Sequence, residues 1–371
     1  MRIFTLDRGF IEKDEIDLFE SALWTERYRG DGDFELSVEA NEALMNKLPR
    51  GQLLMCDGSA EPMILETRDI KDDILKTTGI TLTQWLNNRT IRTTADHKIK
   101  EWLLTGYPVG EAMMQIVQQM CIGGPYLSGG TPIGIPSGET TLWSVPGLVA
   151  GAFDTAGGVK DLSVPFGPVF DALKTIAETY DVGQKITLDF AFEDEYQITY
   201  ISYRGADRTS AQTINPTVRF SKEMDSFSNI HDLESLADHR NSVYLFAPNA
   251  APAIVTNAGH AVTAGPTPTG FDLKVEQAFL DDLPTGLDAT SLMTLLNQKA
   301  LTELQNRKVV QLVDGEITQV LGVQYGVNFF MGDIVEVEGN TGIRQNARVT
   351  EYIRSQDSAG ERSYPTLSMI E

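Results

Sequence analysis

Leu23-Trp24-Thr25-Glu26-Arg27-Tyr28-Arg29 runs into Gly30-Asp31-Gly32-Asp33 and then into Phe34-Glu35-Leu36-Ser37-Val38. This stretch decides the fold class. The last five residues alternate between apolar and polar, and successive side chains of a strand point to opposite faces. Phe34, Leu36 and Val38 therefore face one way, with Glu35 and Ser37 facing the other. A Gly-rich link between two such runs is a hairpin signal. Trp24, Arg27 and Tyr28 sit among polar residues on the first run, the pattern of an anchor in an interface or in a core. Asp31, Asp33 and Glu35 have the spacing of calcium ligands, but Leu36 stands where a calcium loop needs glycine. The hairpin reading takes the stretch.

The same signals spread outward on both sides. Arg2–Leu6 and Ile11–Phe19 are short alternating segments, and Asp57-Gly58 links Leu53–Cys56 to Met63–Glu66. Thr81 can cap a short helix over Thr81–Asn87, with Leu82, Trp85 and Leu86 on one face. Residues 93–204 change character. Val109, Met113, Ile116, Val117 and Met120 recur at helical spacing behind Pro108, which suits a first turn. Gly123–Gly138 is a Gly- and Pro-rich loop. A second amphipathic helix spans Pro168–Tyr180, and a hairpin joins Ile186–Phe190 to Tyr196–Tyr203 through Glu193-Asp194-Glu195. Beyond 205 the reading returns to β: Thr217–Phe220, Ser242–Phe246, Ala253–Asn257, Phe271–Glu276, Ile334–Val337, Ala347–Ile353 and Thr366–Ile370. Gly259–Gly270 reads as a loop. Val309–Leu312, Asp314-Gly315 and Ile317–Val320 read as a hairpin, and Ala289–Asn306 as a helix.

The fold class is therefore α+β, mainly β, with two antiparallel β domains, an α/β insert and a small helical insert. Residues 1–92, completed by about 201–225, form the first β domain. Residues 93–200 form the α/β insert. Residues 226–288 and 307–371 form the second β domain, interrupted by the helix at 289–306.

Composition narrows the function classes. The chain has 371 residues, with Lys+Arg 30 against Asp+Glu 52 and a net charge of −22. That length favours two or more domains. A surface of that sign repels phosphate, which argues against a sequence-reading nucleic-acid binder. No run approaches the ~18 apolar residues of a membrane span. MRIFTLDRGFIEKDE lacks the basic and apolar regions of a signal peptide. Cys56 and Cys121 read as two buried thiols, since two cysteines cannot supply a zinc site unaided.

The search for chemistry returns little. GxxxxGK[ST], GxSxG and HExxH are absent from the sequence. His97, His231, His239 and His260 are the histidines. His231 and His239 sit around Asp232, Glu234 and Asp238 at a spacing that reads as a solvated acidic helix, with a metal pair as the sharper alternative. Glu193, Asp194 and Glu195 resemble paired glycosidase carboxylates but fall in a turn. No catalytic, cofactor-binding or metal-binding residue is assigned, and no cofactor is expected.

Three segments in order resemble a known family. The first is Ile16-Asp17-Leu18-Phe19-Glu20-Ser21-Ala22-Leu23-Trp24-Thr25-Glu26-Arg27-Tyr28 with Gly32-Asp33-Phe34-Glu35-Leu36. The second is Glu66-Thr67-Arg68 followed by Gly79-Ile80-Thr81-Leu82-Thr83-Gln84-Trp85-Leu86-Asn87-Asn88-Arg89, with Ile80-Thr81 where Arg-Ser is more usual. The third is Tyr325-Gly326-Val327-Asn328-Phe329-Phe330-Met331-Gly332-Asp333-Ile334-Val335-Glu336-Val337 with Arg348-Val349-Thr350-Glu351. There Asn328 and Met331 replace the commoner Asp and Leu. The pattern resembles minor tail proteins of siphophages, the tail-tip or baseplate hub proteins, especially those infecting Gram-positive and actinobacterial hosts.

The resemblance implies a fold shared with contractile-phage hub proteins, with barrel-like β domains, and a structural virion protein rather than an enzyme. It implies a homotrimer at the tail tip that adapts the sixfold tube to threefold symmetry and closes or lines the DNA exit channel. Implied partners are a second copy, the distal tail protein ring, the tape measure protein and other minor tail or receptor-binding proteins. DNA would pass through the lumen unread, without stable membrane insertion, after synthesis in the host cytoplasm. Interface candidates are Trp24, Arg27, Tyr28, Phe34, Tyr325, Gly332 and Asp333. A receptor- or carbohydrate-binding module, with Tyr126, Trp143 and Phe153 near the Gly-rich loop, is the alternative, and a cell-wall hydrolase the third. The sequence stops soon after the hub pattern, so binding and lysis are expected on other polypeptides.

Overall fold

Alternation at the start of the chain produces antiparallel ladders. A computed structural model describes residues 1–91, 101–123, 144–190, 196–246, 253–256, 269–279, 288–307, 310–317, 320, 323–338 and 344–370. The first strands are β1 (Ile3–Leu6), β2 (Glu12–Ile16), β3 (Ser21–Arg27) and β4 (Asp33–Glu39). β3 and β4 pair antiparallel with Trp24 opposite Phe34, whose rings stack 5.7 Å apart. Phe34, Leu36 and Val38 are buried, the face their alternation assigns them. A short helix, α1 (Glu42–Lys47), follows and is capped by Asn41, whose side chain accepts the Leu44 N–H at 2.9 Å. β5 (Leu53–Cys56), β6 (Met63–Lys71) and β7 (Ile74–Thr81) complete the order β3-β4-β7-β6-β5-β1-β2. Asp57-Gly58 sits in the β5–β6 link. Thr81 caps α2 (Leu82–Trp85) through the Gln84 N–H. Ile3, Trp24, Phe34, Leu54, Met63 and Leu75 fill this lobe.

The next segment holds β8 (Glu101–Pro108), α3 (Val109–Val117), β9 (Leu148–Ala150), β10 (Val159–Pro165), α4 (Val169–Tyr180), β11 (Gly183–Phe190) and β12 (Tyr196–Tyr203). β8 pairs with β10, and β11, β12 and β9 form a separate three-stranded sheet. α3 runs on through a π-helical turn at Gln118–Ile122, and Met113, Met114 and Met120 are buried core residues. Leu6, Phe10, Leu53 and Ile64 from the opening strands join the same hydrophobic core, so this α/β layer is welded to the first lobe. Glu193-Asp194-Glu195 and most of the Gly-rich loop lie outside the described residues.

The remaining elements are β13 (Arg219–Ser221), β14 (Phe227–Ser235), β15 (Ser242–Phe246), β16 (Ala253–Thr256), β17 (Val275–Phe279), α5 (Ala289–Asn306), β18 (Val310–Ile317), β19 (Ile334–Glu338), β20 (Arg344–Asp357) and β21 (Gly360–Met369). β16-β15-β17 is a small sheet packed on α5 through Val243, Leu245, Leu296, Ala300 and Leu304. β14, β18, β21 and β20 extend the first sheet, because β20 pairs with β3. The result is one thirteen-stranded sheet, with β19 and β13 branching from β20. Phe220, Phe227, Phe329, Val335, Val349 and Leu367 form the core of this second lobe.

Three local expectations are corrected. Asp314-Gly315 makes no hairpin: β18 runs on through it, because Asp314 is paired with His231 of β14 on one side and Thr366 of β21 on the other, and Gly315 falls at a shift of register. His231 lies on strand β14, not on an acidic helix, since it pairs with Asp314 of β18 and the ladder continues from it to Ser235. The strand placed at Phe271–Glu276 begins later, at Val275, because Gly270 takes a positive φ of 61° and opens a 3-10 turn over Gly270–Asp272.

Candidate functional site

β3 ends at Arg27, and the next residue, Tyr28, lies where both lobes and the α/β layer meet. Its backbone N–H donates to Thr350 O at 2.8 Å, and its carbonyl accepts the Gln184 N–H at 3.0 Å. One residue thus ties β3 to β20 and to β11. Its ring is buried and packs edge-on against Tyr203, with centroids 5.5 Å apart. The hydroxyl donates to the carbonyls of Asp181 and Tyr203 at 3.3 and 3.4 Å. Burial pushes the phenol up to about 12, so it stays a neutral donor.

The ring fits because two neighbours have no side chain. A Cβ on Gly183 would lie 2.2 Å from the Tyr28 ring, and one on Gly332 would lie 2.4 Å from it. Gly332 also has φ +86°, a conformation that non-glycine residues rarely adopt. Arg348 covers the other side, its guanidinium 5.3 Å from the ring centroid. It donates to Gly332 O and to the Asp181 carboxylate, each at 2.6 Å.

Asp333 follows and is 2% exposed. Its carboxylate accepts the N–H groups of Ala206 at 2.7 Å and Phe330 at 2.9 Å, and pairs with the Arg208 guanidinium. A buried carboxylate so fully bonded is a structural clamp: it fixes the 330–333 turn against the strand leaving β12. Arg27 is partly exposed and donates to Glu351 at 2.6 Å and to Asp31 O at 2.7 Å, with Asp33 also in contact. Tyr325 stacks on Tyr352 at 3.8 Å and meets Phe329 edge-on at 5.5 Å.

Six of the seven interface candidates therefore gather along the joint between the lobes, and Phe34 sits behind Trp24. Trp24, Tyr28, Phe34, Gly332 and Asp333 are buried inside the chain. Trp24 and Phe34 belong to the core of the first lobe, and Tyr28 to that of the second. Arg27 and Tyr325 keep part of their surface. The sequence reading did not single out Arg348, Asp181 or Gly183 as site residues, although Arg348 stands in the third family segment. The first two are charged residues far apart in the chain, and only the tertiary fold brings them to Tyr28.

No group of three or more His, Cys, Asp or Glu among the described residues could hold a metal ion. Cys56 and Cys121 are free and buried, and desolvation pushes each thiol up to about 12, far from a reactive thiolate. A cavity of about 280 Å³ lies beside Phe10, Trp85, Leu86, Ile186 and Ile198, lined almost wholly by apolar side chains. His97, His260, Tyr126 and Trp143 lie outside the described residues, and Phe153 packs against the core of the α/β layer. No described helix is long and apolar enough to cross a membrane.

Comparison with known proteins agrees with this architecture. A family model described as Siphovirus ReqiPepy6 Gp37-like protein matches residues 1–367. Among solved structures, the chain is similar to the tail protein from Neisseria meningitidis MC58, at 13% identity and TM-score 0.56, covering 99% of this chain and 96% of that one. It is similar to the prophage MuSo2 43 kDa tail protein from Shewanella oneidensis, at 10% identity and TM-score 0.54, covering 100% and 98%. It is also similar to prophage tail protein gp18 from Listeria monocytogenes EGD-e, at 11% identity and TM-score 0.51, covering 99% and 94%. No curated protein matches the chain.

Proposed function

The chain belongs to the Siphovirus ReqiPepy6 Gp37-like protein family, a family of phage tail structural proteins, and from that premise we propose that it is the tail-tip hub. Three copies would close a ring at the end of the tail tube. The observation that carries this reading is the single sheet in which two β lobes are fused through the β3–β20 ladder. A rigid chain with two β lobes can offer two tube-like contacts, so three chains supply six and match a sixfold tube. We take the lobe of β1–β7 as one ring-forming unit and the lobe of β13, β14 and β18–β21 as the other; the stretch 201–225, expected to complete the first, packs on the second through β13–β19 and Phe220.

The joint described above supports this use. Tyr28 ties β3 to β20 and to β11, and Arg348 ties β20 to Asp181 of the α/β layer, links that would keep the lobes in a constant relation as a closed ring requires. The contacts fall to the lobe edges and to partly exposed groups such as Arg27 and Tyr325. Acidic side chains would line the lumen, where DNA slides through without sticking. The distal tail ring, the tape measure protein and receptor-binding proteins would be the neighbours. The role is mechanical, not catalytic.

Light scattering of the purified protein, read at increasing concentration, tests the assembly. The expected particle contains three chains of 40.9 kDa each. A species that stays at one chain, or settles at two, at concentrations where the tail tip assembles overturns the trimer.

A further inference from the structure

Beneath the joint lies a second polar cluster that the clamp does not use. The segment 57–62 between β5 and β6 touches three bodies at once. Arg354 of β20 donates to Gly58 O at 2.7 Å. The Leu188 N–H of β11 donates to Ala60 O at 2.9 Å. Ser59 donates its hydroxyl to Glu26 of β3 and accepts the Glu61 N–H at 3.1 Å. Glu26 is in turn paired with Arg354 at 3.2 Å and accepts the Tyr325 hydroxyl at 3.4 Å.

Glu61 completes the segment and is out of keeping with it. It is 3% exposed, and its Oε2 meets no hydrogen-bond partner within the chain; the same holds for the Tyr203 hydroxyl. The charged and titratable groups that face it are Glu26 from β3, Lys185 from β11, Arg354 from β20, Tyr203 from β12 and Tyr325. Arg354 donates to Gly58 O through Nη2, while its Nη1 lies in ion-pair range of Glu26 at 3.2 Å without a hydrogen bond and makes none to Glu61. A buried carboxylate with an unpartnered oxygen is costly, whereas a buried carboxylic acid is tolerated.

We propose that Glu61 is a proton-operated latch: protonated, it lets segment 57–62 seat against both lobes and the α/β layer, and losing its proton unseats the segment. The direction of the effect follows from linkage. Burial first, and the Glu26 charge second, raise the Glu61 carboxyl to about 8. With the segment open, the same group titrates near an ordinary carboxylate value of about 4.3. The closed joint therefore holds a proton that the open one releases. Closure is strongest below the ordinary carboxylate range and weakens as pH rises, until the latch has titrated near pH 8. Between those limits one proton leaves per opening, so the opening constant rises about tenfold per pH unit. The latch lies within one chain and stands whether or not copies form a ring.

Hydrogen exchange of the Leu188 amide, corrected for the intrinsic pH dependence of exchange, reads that opening directly. In the wild type its protection should fall about tenfold per pH unit between roughly pH 5 and 8, then level off. The Glu61→Gln variant, which cannot ionise, should show protection independent of pH. A flat wild-type profile, or the same slope in Glu61→Gln, overturns the proposal. Should Glu61→Gln fail to fold, carbon NMR titration of the Glu61 carboxyl in the wild type decides the matter. A midpoint near 8 sustains the latch, and one in the ordinary carboxylate range removes it.

Discussion

Gly332 and Gly326 both take positive φ, +86° and +80°, but their surroundings differ. A Cβ on Gly326 meets nothing within 4 Å, whereas one on Gly332 strikes the Tyr28 ring. Alanine at Gly326 should therefore carry only the conformational cost, about 1 kcal/mol. Alanine at Gly332 adds overpacking in a filled joint and should cost on the order of 2–4 kcal/mol. Urea unfolding of the two variants makes the comparison. Equal losses would mean that Tyr28 is not wedged between the glycines as described. Gly332 and Asp333 stood out in the sequence as interface candidates. Their pairing did not: Tyr28 is 304 positions away from Gly332 in the numbering, and no local pattern encodes which buried ring a distant glycine must admit.

At the scale of elements, most strands and long helices were legible because burial writes a period into them. The β3–β4 hairpin, α4 and α5 follow apolar spacing of two or of three to four residues. Where the period is short or broken, the reading failed. α1 has six residues, of which only Leu44 is buried, so it has no stripe to detect. Its stability rests on its cap instead. Replacing Asn41 with Ala removes the acceptor for the Leu44 N–H and should cost about 1 kcal/mol, while Asn41→Ser should stay close to wild type. Thermal unfolding followed by circular dichroism separates these outcomes, and an Asn41→Ala variant as stable as wild type would show that the cap is idle. β18 failed for a different reason. Asp-Gly is a strong turn signal locally, but β14 and β21 pair with that strand on its two sides and override it. The same pairing turns the expected helix around His231 into a strand.

Across the whole molecule, the mainly β class was visible in the sequence, and the fusion of both lobes into one sheet was not. That fusion depends on β3 pairing with β20, residues more than three hundred positions apart, with Arg27 opposite Glu351 and Trp24 opposite Arg354. Alternation specifies which face of each strand is buried, but not which strand lies alongside it. The fused sheet is also what gives the hub reading its mechanical sense, because two lobes that cannot hinge freely can set the curvature of a closed ring. The net charge of −22 means that copies repel at a distance, so the proposed ring would need well-matched edges rather than bulk attraction. The central claim is three copies of this chain at the tail tip. Electron microscopy of virions with this chain labelled, counting copies at the tip, measures it directly. Three labelled copies around the axis of the distal end is the result the account predicts; six copies, or label elsewhere along the virion, would contradict it.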